Sequence, residues 1–528
     1  MKKYLSLLLT ALLVFGSLPL TALAEESQTP AITGDYVEGQ AIVCVEGGLQ
    51  SLNGGRSRSA SDIQIVDSLM TISDSAAENG LLKSRSAAEG DTRQLVLVES
   101  AAGENTQTLI ESLKDNPSVL FAEPNYRVQV STDEATTDEI SQVAEPSPVE
   151  NAEPTPSAGT QNAEAEAEKS DSDEAKAQPE VSLLQTGASQ AAGVPATVIN
   201  QDPAVQDMSN GLWSMDNRGQ MGGTAGVDIN TKPVWNAGNK GSKNVAVAVL
   251  DTGVDYTNDD LATQMWDKAE TGVDLAGIDG GGTYGKNVCS IDLTVTDPTD
   301  PMDNMLHGTH CAGTIGASWD KQGVDGVCKD LQLIAVKGMN SSGGGILSDL
   351  IQGYSYLSAV CDTLEAEGSA TRLKAINNSW SMPSYSEALN TAITTLGQKG
   401  VVSVFAAGNS STNLDLETNT TNGQLPKAYT LVVGAMNSDA TKAVFSSYGK
   451  QTVDVFAPGS SILSTLPNEK AAYMAPFADK TANYIYDGYE GDKPGATDKE
   501  AQNGGLPFYY YSDTAANHTG DAVAGGEA

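Results

Sequence analysis

Apolar residues are spaced differently along the chain, and the differences predict where strands and helices lie. Beyond about residue 200, continuous apolar runs alternate with stretches of helical periodicity. Such runs are typical of strands covered on both faces, and they occur at Asn244–Leu250, Leu331–Val336, Leu373–Ile376, Val401–Ala407 and Thr430–Val433. Helical patterns fall between them, at Ile346–Val360 and Ser386–Leu396. This alternation predicts an α/β fold in which helices cover both faces of a parallel sheet.

A second globular stretch comes earlier, from Asp35 to about Val130. It contains strand-like patches at Gln40–Val45 and Gln94–Val98, followed by a helical pattern at Gln107–Leu113. We therefore expect two folded parts, separated by the segment that begins at residue 131.

That intervening segment has the composition of a linker. Between Thr132 and Val181 there are 14 acidic residues, two lysines, five prolines and no aromatic residue. Because so little apolar surface is available for burial, residues 131–200 are predicted to be a disordered acidic linker. The whole chain is acidic too, with a formal net charge of −38. This balance argues against binding to nucleic acid or to anionic lipid surfaces.

The amino terminus has the order of a secretory signal peptide. Two lysines precede the apolar stretch Leu5–Leu20, and the small residues of Ala22-Leu23-Ala24 follow it. Cleavage is expected after residue 24, and the protein is expected to be exported. A membrane span is the weaker interpretation, because the stretch is short and contains a glycine and a proline. No later uncharged apolar run reaches 18 residues.

Three motifs near predicted strand ends carry the candidate chemistry. The first strand ends in Leu250-Asp251-Thr252-Gly253, where a carboxylate can be held rigidly and can orient an imidazole by accepting a hydrogen bond from its Nδ1–H. A turn aspartate is the alternative interpretation. An aspartic protease would need a second such triplet in a mostly β chain, and the sequence has none.

The second motif contains two of the three histidines of the chain. His307 and His310 open the small-residue stretch His307–Gly316. A metal pair lacks a third ligand at a zinc spacing, and His-Glu-x-x-His is absent. A general base at the start of a helix is the other interpretation, and the small residues would let that helix pack closely on the sheet.

The third motif is Ala407-Gly408-Asn409-Ser410, directly after an apolar strand. An amide at that place can donate to a developing oxyanion. The alternative is an asparagine that simply accommodates the backbone of a turn.

In this order the three motifs resemble the subtilase family, the subtilisin-like serine peptidases. Four further segments resemble family features. Asn377–Ser381 resembles the substrate-binding strand, and Ser342–Gly345 resembles the segment that faces it. Ala457–Gly459 resembles the lead-in to the nucleophile, and Leu120–Tyr126 resembles the end of the propeptide. The resemblance covers about residues 35–130 and 205–465.

The resemblance implies how the chain is divided. Residues 1–24 would be the signal peptide, 25–130 a small α/β propeptide that acts as intramolecular inhibitor and chaperone, and 131–200 the linker. Residues 201–528 would be an incomplete subtilisin-like catalytic domain, with an insertion rich in Gly, Asp and Tyr from about residue 466.

It also implies the roles of the site residues. Asp251 would orient His307, His307 would take and return the proton of the nucleophile, and Asn409 would stabilise the oxyanion. An extended polypeptide substrate would pair with the residues Ser379, Trp380, Ser381, Gly343 and Gly344. Trp380 would either shape a side-chain pocket or pack in the core. This implies an endopeptidase of broad specificity, which requires no cofactor for catalysis.

The nucleophile motif of the family, Gly-Thr-Ser-Met-Ala-x-Pro, does not occur in the sequence. The serines after Gly459 are Ser460, Ser461, Ser464 and Ser512, and none is both preceded by glycine and followed by an apolar helix. We expect that this chain is truncated and that its nucleophile and any surface anchor lie beyond residue 528. Part of the core would then be left uncovered. The alternative is a complete pseudopeptidase that binds peptides without cutting them.

Calcium and the cysteines are left open by the sequence. Subtilases commonly bind calcium, and Asp260 and Asp320 fall near positions that resemble family ligands. Two carboxylates are fewer than the six to eight oxygens that calcium takes. The five cysteines are odd in number, so at least one is expected to be a thiol, and Cys311 is expected to be buried in its helix.

Overall fold

The structure is a computed structural model, and it describes residues 34–49, 52, 63–72, 93–130, 212–219, 223–319, 324–416 and 425–467. It also describes the short strands Tyr486–Asp487, Phe508–Tyr510 and Val523–Gly525. The predicted signal peptide and the predicted acidic linker lie outside the described residues.

The amino-terminal part is an antiparallel sheet with one helix. Its elements are β1 (Tyr36–Glu46), β2 (Ile63–Ile72), β3 (Arg93–Ser100), α1 (Thr106–Leu113) and β4 (Val119–Val130). The strand order is β2-β3-β1-β4. Apolar side chains of β1 and β3, such as Ile42 and Leu95, are fully buried. The sequence prediction of two strands and a helix is confirmed here, although β2 and β4 were not predicted as strands.

The second part contains most of the described chain. Its strands are β5 (Gly241–Asp251), β6 (Gly285–Asn287), β7 (Asp330–Lys337), β8 (Gly344–Ile346), β9 (Arg372–Asn378), β10 (Trp380–Ser381), β11 (Val402–Ala406), β12 (Thr430–Met436), β13 (Val455–Pro458) and β14 (Ile462–Ser464). Its α-helices are α2 (Thr231–Asn236), α3 (Asp259–Ala262), α4 (Lys268–Thr271), α5 (His307–Gly316), α6 (Leu347–Ala366) and α7 (Glu387–Gln398).

Seven of these strands form one sheet with the order β13-β12-β11-β9-β5-β7-β6. Every neighbouring pair in it is parallel. Each of the five apolar runs in the sequence is one of its strands, so the predicted α/β fold is confirmed.

Helices cover both faces of this sheet, as the buried residues of β5 show. Leu250 packs in the apolar cluster that contains Leu350 of α6. Its neighbour Val249 packs in a separate cluster with Ala312 of α5. Because successive side chains of a strand point to opposite faces, α5 and α6 lie on opposite sides of the sheet. Among the described residues, no helix combines the length and apolarity needed to cross a membrane.

Candidate active site

The carboxylate of Asp251 and the imidazole of His307 form a buried hydrogen-bonded pair. Oδ1 of Asp251 lies 2.7 Å from Nδ1 of His307, and both side chains are fully buried. Asp251 is the last residue of β5, and His307 is the first residue of α5. The same carboxylate oxygen accepts the backbone N–H of Thr252 at 2.7 Å, which fixes the carboxylate in its plane.

Small residues allow α5 to approach the strand end closely enough for this pair to form. A Cβ atom at Gly308 would lie only 2.0 Å from the carbonyl oxygen of Gly253 and 3.1 Å from the Cβ of Asp251. Gly253 itself has a φ of +111°, which strongly favours glycine. The turn after β5 and the first turn of α5 therefore pack backbone against backbone, as the small-residue pattern predicted.

His310 has a different partner, which argues against a metal site made by the two histidines. Its Nε2 lies 3.2 Å from the carbonyl oxygen of Ile462, whereas His307 faces Asp251. The thiol of Cys311 does lie near the pair, with Sγ 3.9 Å from Nδ1 of His307. Asp251, His307 and Cys311 place ligand atoms within 4.8 Å of one another, but a metal on Nδ1 would displace the hydrogen bond to Asp251. All five cysteines are free thiols, and Cys311 is half-buried rather than buried as expected.

Asn409 lies in the turn that follows β11, at the same carboxyl edge of the sheet as Asp251. Gly408 before it has a φ of +95°, and its carbonyl oxygen accepts the N–H of Ser447 at 2.7 Å. The side chain of Asn409 is half-buried. The turn that carries Asn409 is thus held by a backbone hydrogen bond.

The end of β4 occupies a cleft between two short strands. Residues 127–129 pair antiparallel with β8, and residues 129–130 pair antiparallel with β10. The N–H of Val130 also donates to the carbonyl oxygen of Gly343 at 2.9 Å. The two segments named as substrate-binding in the sequence therefore form opposite walls around one extended strand.

The predicted substrate-binding residues pair with the end of β4 or with each other's neighbours in the cleft walls. Gly344 pairs with Gln129, Ser381 pairs with Gln129 from the other side, and Trp380 pairs with Val130. The hydroxyl of Ser379 accepts the side-chain amide of Asn377 at 3.0 Å.

Trp380 is a core residue. Its side chain is fully buried, and its ring contacts Phe405 edge-on with centroids 5.2 Å apart. Of the two interpretations that the sequence left open, core packing is the one that the structure favours.

The amino-terminal sheet also contacts the second part at the starts of two helices. Glu123 of β4 accepts the N–H groups of Glu387 at 2.9 Å and Ala388 at 3.3 Å, at the start of α7. Asn125 accepts the N–H of Ser348 at 2.9 Å, at the start of α6. Burial raises the pKa of Glu123 to about 7, although these hydrogen bonds oppose the shift. Sequence reasoning did not find these caps, because they join residues more than 200 positions apart.

A buried lysine beside the pair was also missed. The Nζ of Lys337 donates to the carbonyl oxygen of Thr252 and to Oδ1 of Asn304, both at 2.7 Å. It also lies 3.2 Å from the carboxylate of Asp292. Burial would raise the pKa of Asp292, but hydrogen bonds from Thr294 and Asn304, together with the charge of Lys337, lower it to about 2. The only sequence signal was a lysine ending an apolar strand.

Of the two candidate calcium ligands, one lies in the described part of the chain. Asp260 is buried in α3, where its carboxylate accepts the N–H of Val324 at 2.8 Å. Asp320 lies outside the described residues.

The described serines after Gly459 have structural contacts. The carbonyl oxygens of Ser460 and Ser461 accept the indole N–H of Trp213 at 3.1 and 3.2 Å. The hydroxyl of Ser464 donates to the carbonyl oxygen of His310 at 2.6 Å. Ser512 lies outside the described residues. None of these contacts presents a serine hydroxyl to His307.

Comparisons with known proteins show which family the chain resembles. The profile of the Subtilase family matches residues 242–485. The Thermophilic serine proteinase of Bacillus sp. (strain AK1) is 30% identical over 286 residues, which are 52% of this chain and 60% of that protein. Subtilisin of Bacillus pumilus is 35% identical over 225 residues, which are 42% of this chain and 68% of that protein. The chain thus spans only part of the length of these relatives.

A solved structure described as a cold adapted subtilisin-like serine proteinase is also similar. It is 27% identical, with 43% of this chain and 68% of that chain covered and a TM-score of 0.31. Because the TM-score is low, the fold is assigned from the order and direction of the strands and not from this similarity. Because the Bacillus pumilus relative is 35% identical and is covered over 68% of its length, the chain belongs to the subtilase family.

Proposed function

We propose that this chain is the precursor of an exported serine endopeptidase, in which Asp251 and His307 are two members of a catalytic triad. The observation that carries the proposal is the fully buried 2.7 Å contact between them. It lies at the carboxyl edge of a parallel sheet, where active sites of such folds collect.

Each member of the site would have a distinct task. Asp251 would hold His307 with its Nδ1 protonated, so that Nε2 is the basic nitrogen. His307 would then take the proton of the nucleophile and deliver it to the leaving amine. Asn409 would donate its side-chain N–H to the negative oxygen of the tetrahedral intermediate, a contribution that is typically worth 10²–10³ in rate.

The cleft would bind substrate as an added strand. Residues 127–130 already pair with both walls through backbone hydrogen bonds, and a polypeptide substrate would take their place. Because this recognition reads the main chain, we expect broad specificity for flexible polypeptides.

The amino-terminal sheet would act as the inhibitory propeptide. Its last strand fills the cleft, and its Glu123 and Asn125 cap the helices α7 and α6. Removal of this sheet would therefore free the cleft and both helix starts. The signal peptide pattern of residues 1–24 supports export, and retention at the cell surface would need an anchor.

The nucleophile would come from a segment that is not in this sequence. An exposed apolar surface supports this. Val404 pairs with Leu431, and Val433 pairs with Val455, so Val402, Leu431 and Val455 point to one face of the sheet. These last three side chains are 43%, 38% and 44% exposed. A helix that covers this face would bury them and could present a serine at the carboxyl edge of the sheet.

The second candidate is a peptide-binding pseudopeptidase. It is favoured by the same occupied cleft and by the absence of the nucleophile motif from the sequence. This protein would bind extended peptides and release them intact.

The first test is to read the coding sequence beyond the codon of Ala528. An in-frame Gly-Thr-Ser-Met-Ala-x-Pro supports the peptidase, and the extended protein is then treated with a fluorophosphonate probe after removal of the amino-terminal sheet. Labelling is expected in the wild type and not in the His307→Ala variant. A stop codon at that point, or unlabelled extended protein that still binds peptide, overturns the peptidase proposal in favour of the pseudopeptidase.

A further inference from the structure

A buried carboxylate lies directly behind the candidate pair and has no role in the proposed proton transfer. Asp303, in the loop before α5, is 4% exposed. Its Oδ1 accepts the hydroxyl of Thr252 and the N–H of Met305, both at 2.9 Å. Its Oδ2 accepts the N–H of Thr309 at 3.0 Å and the hydroxyl of Thr309 at 2.6 Å. All four acceptor positions of an ionised carboxylate are therefore in use.

These hydrogen bonds join the two elements that carry the pair. Thr252 directly follows Asp251, and Thr309 is two residues after His307. The hydroxyl of Thr252 also accepts the N–H of Gly308 at 2.9 Å. Asp303 thus connects Thr252, which is next to Asp251, with Thr309, which is two residues after His307.

The loop that contains Asp303 is itself held against the strand end. The N–H of Val254 donates to the carbonyl oxygen of Pro301 at 3.0 Å. Lys337 bridges the carbonyl oxygen of Thr252 and the side chain of Asn304, the residue after Asp303. The carboxylate cannot shift without moving the turn after β5.

We propose that Asp303 is a positioning residue, which holds Asp251 and His307 at hydrogen-bonding distance through Thr252 and Thr309. The proposal rests on the proposed function in so far as the pair transfers a proton, because small errors in the placement of such groups reduce the rate strongly. The chain of hydrogen bonds itself is independent of whether any nucleophile is present.

A purely structural role would give a different result. The N–H of Thr309, in the first turn of α5, donates to Asp303 as it would to an ordinary helix cap. A cap of that kind would stabilise the fold without affecting the interaction between Asp251 and His307. The titration of His307 separates the two roles, because its charged form is stabilised by Asp251 only when the two groups are correctly placed.

The experiment uses the 528-residue chain with isotope-labelled histidine and follows the imidazole signals by NMR as a function of pH. The chain has three histidines, and a His307→Ala variant assigns the relevant signals. The test variants are Asp303→Asn and Thr252→Val, the second of which removes the connecting hydroxyl but keeps the charge of Asp303. The matched control is Asp297→Asn, since Asp297 is exposed and accepts the N–H and hydroxyl of Thr299 at 2.9 and 2.8 Å.

We expect Asp303→Asn to lower the pKa of His307, because a displaced Asp251 stabilises the charged imidazole less. Thr252→Val should also lower the pKa of His307 and should weaken the NMR signal of the proton on Nδ1. The control Asp297→Asn should titrate like the wild type. A shift in Asp303→Asn with none in Thr252→Val would mean that only charge acts and would overturn the proposal. An unchanged titration of His307 in both variants would also overturn the proposal.

If Asp303→Asn does not fold, Thr252→Val alone decides in the same way. The readout needs no nucleophile, so a failure of fluorophosphonate labelling in the extended protein leaves this result unaffected.

Discussion

The backbone N–H of Val130 donates to the carbonyl oxygen of Gly343 across 2.9 Å, and this bond joins the last strand of the amino-terminal sheet to the wall of the cleft. A Cβ atom at Gly343 would lie 2.5 Å from Cγ2 of Val130. The close approach of the two backbones therefore depends on glycine at position 343, which also has a φ of +75°.

Gly343→Ala is expected to loosen this strand. The added methyl group collides with Val130 and is strained by the positive φ, so the amide of Val130 should lose protection from hydrogen exchange. The matched control is Gly344→Ala, because a Cβ there meets nothing closer than the side chain of Gln129 at 3.6 Å. Equal protection of Val130 in the two variants would contradict the packing described here.

Gly308→Ala should separate the candidate pair. Its Cβ would lie 2.0 Å from the carbonyl oxygen of Gly253, so the first turn of α5 has to move away from β5. We expect the low-field NMR signal of the proton between Asp251 and His307 to disappear. Thr314→Ala, near the other end of the same helix, is the control and should keep that signal.

Glu123 should make the stability of the chain depend on pH. Burial raises its pKa from 4.5 to about 7. A carboxyl group whose pKa is raised in the folded state stabilises that state below its unfolded pKa, and this contribution is lost as the pH rises through the folded pKa. Burial also raises the pKa of Asp349 to about 7, so its contribution has the same sign.

The thermal midpoint of the wild type should therefore fall between pH 5 and pH 8. In Glu123→Gln the fall should be smaller, with the remainder caused by Asp349. Each kcal/mol corresponds to a shift of about 2–4 °C in a protein of about 150–250 residues, and to a smaller shift in a longer chain. Glu111→Gln, at an exposed position of the same sheet unit, is the control, and a pH dependence of Glu123→Gln identical to that of the wild type would contradict the assignment.

Trp380→Ala should destabilise the fold strongly. The side chain is fully buried against Phe405, and truncation of a buried tryptophan costs about 3–5 kcal/mol. Val402→Ala, at a position that is 43% exposed, should cost less than about 0.5 kcal/mol. Denaturant unfolding of both variants measures the difference, and a small effect of Trp380→Ala would mean that the indole is not part of the core.

Five of the seven strands of the parallel sheet were predictable because each contains a continuous apolar run, whereas the short strands β6 and β13 were not predicted. Val245–Leu250 and Leu331–Val336 are examples, and both are strands. The helix that begins at His307 was predictable from its small residues. In contrast, β2 contains polar and exposed positions such as Asp67, and β10 has only two residues. Neither pattern is distinguishable from a loop by periodicity.

By itself, the sequence determined the class of fold and predicted Asp251, His307 and Asn409 as site residues, because strand ends and their turn residues are local features. Only the tertiary structure decided which distant groups surround them. It placed Asp303 and Lys337 behind the pair, Glu123 and Asn125 at the helix starts, and Val130 in the cleft. Those contacts join residues up to hundreds of positions apart, and local periodicity carries no information about which of them come together.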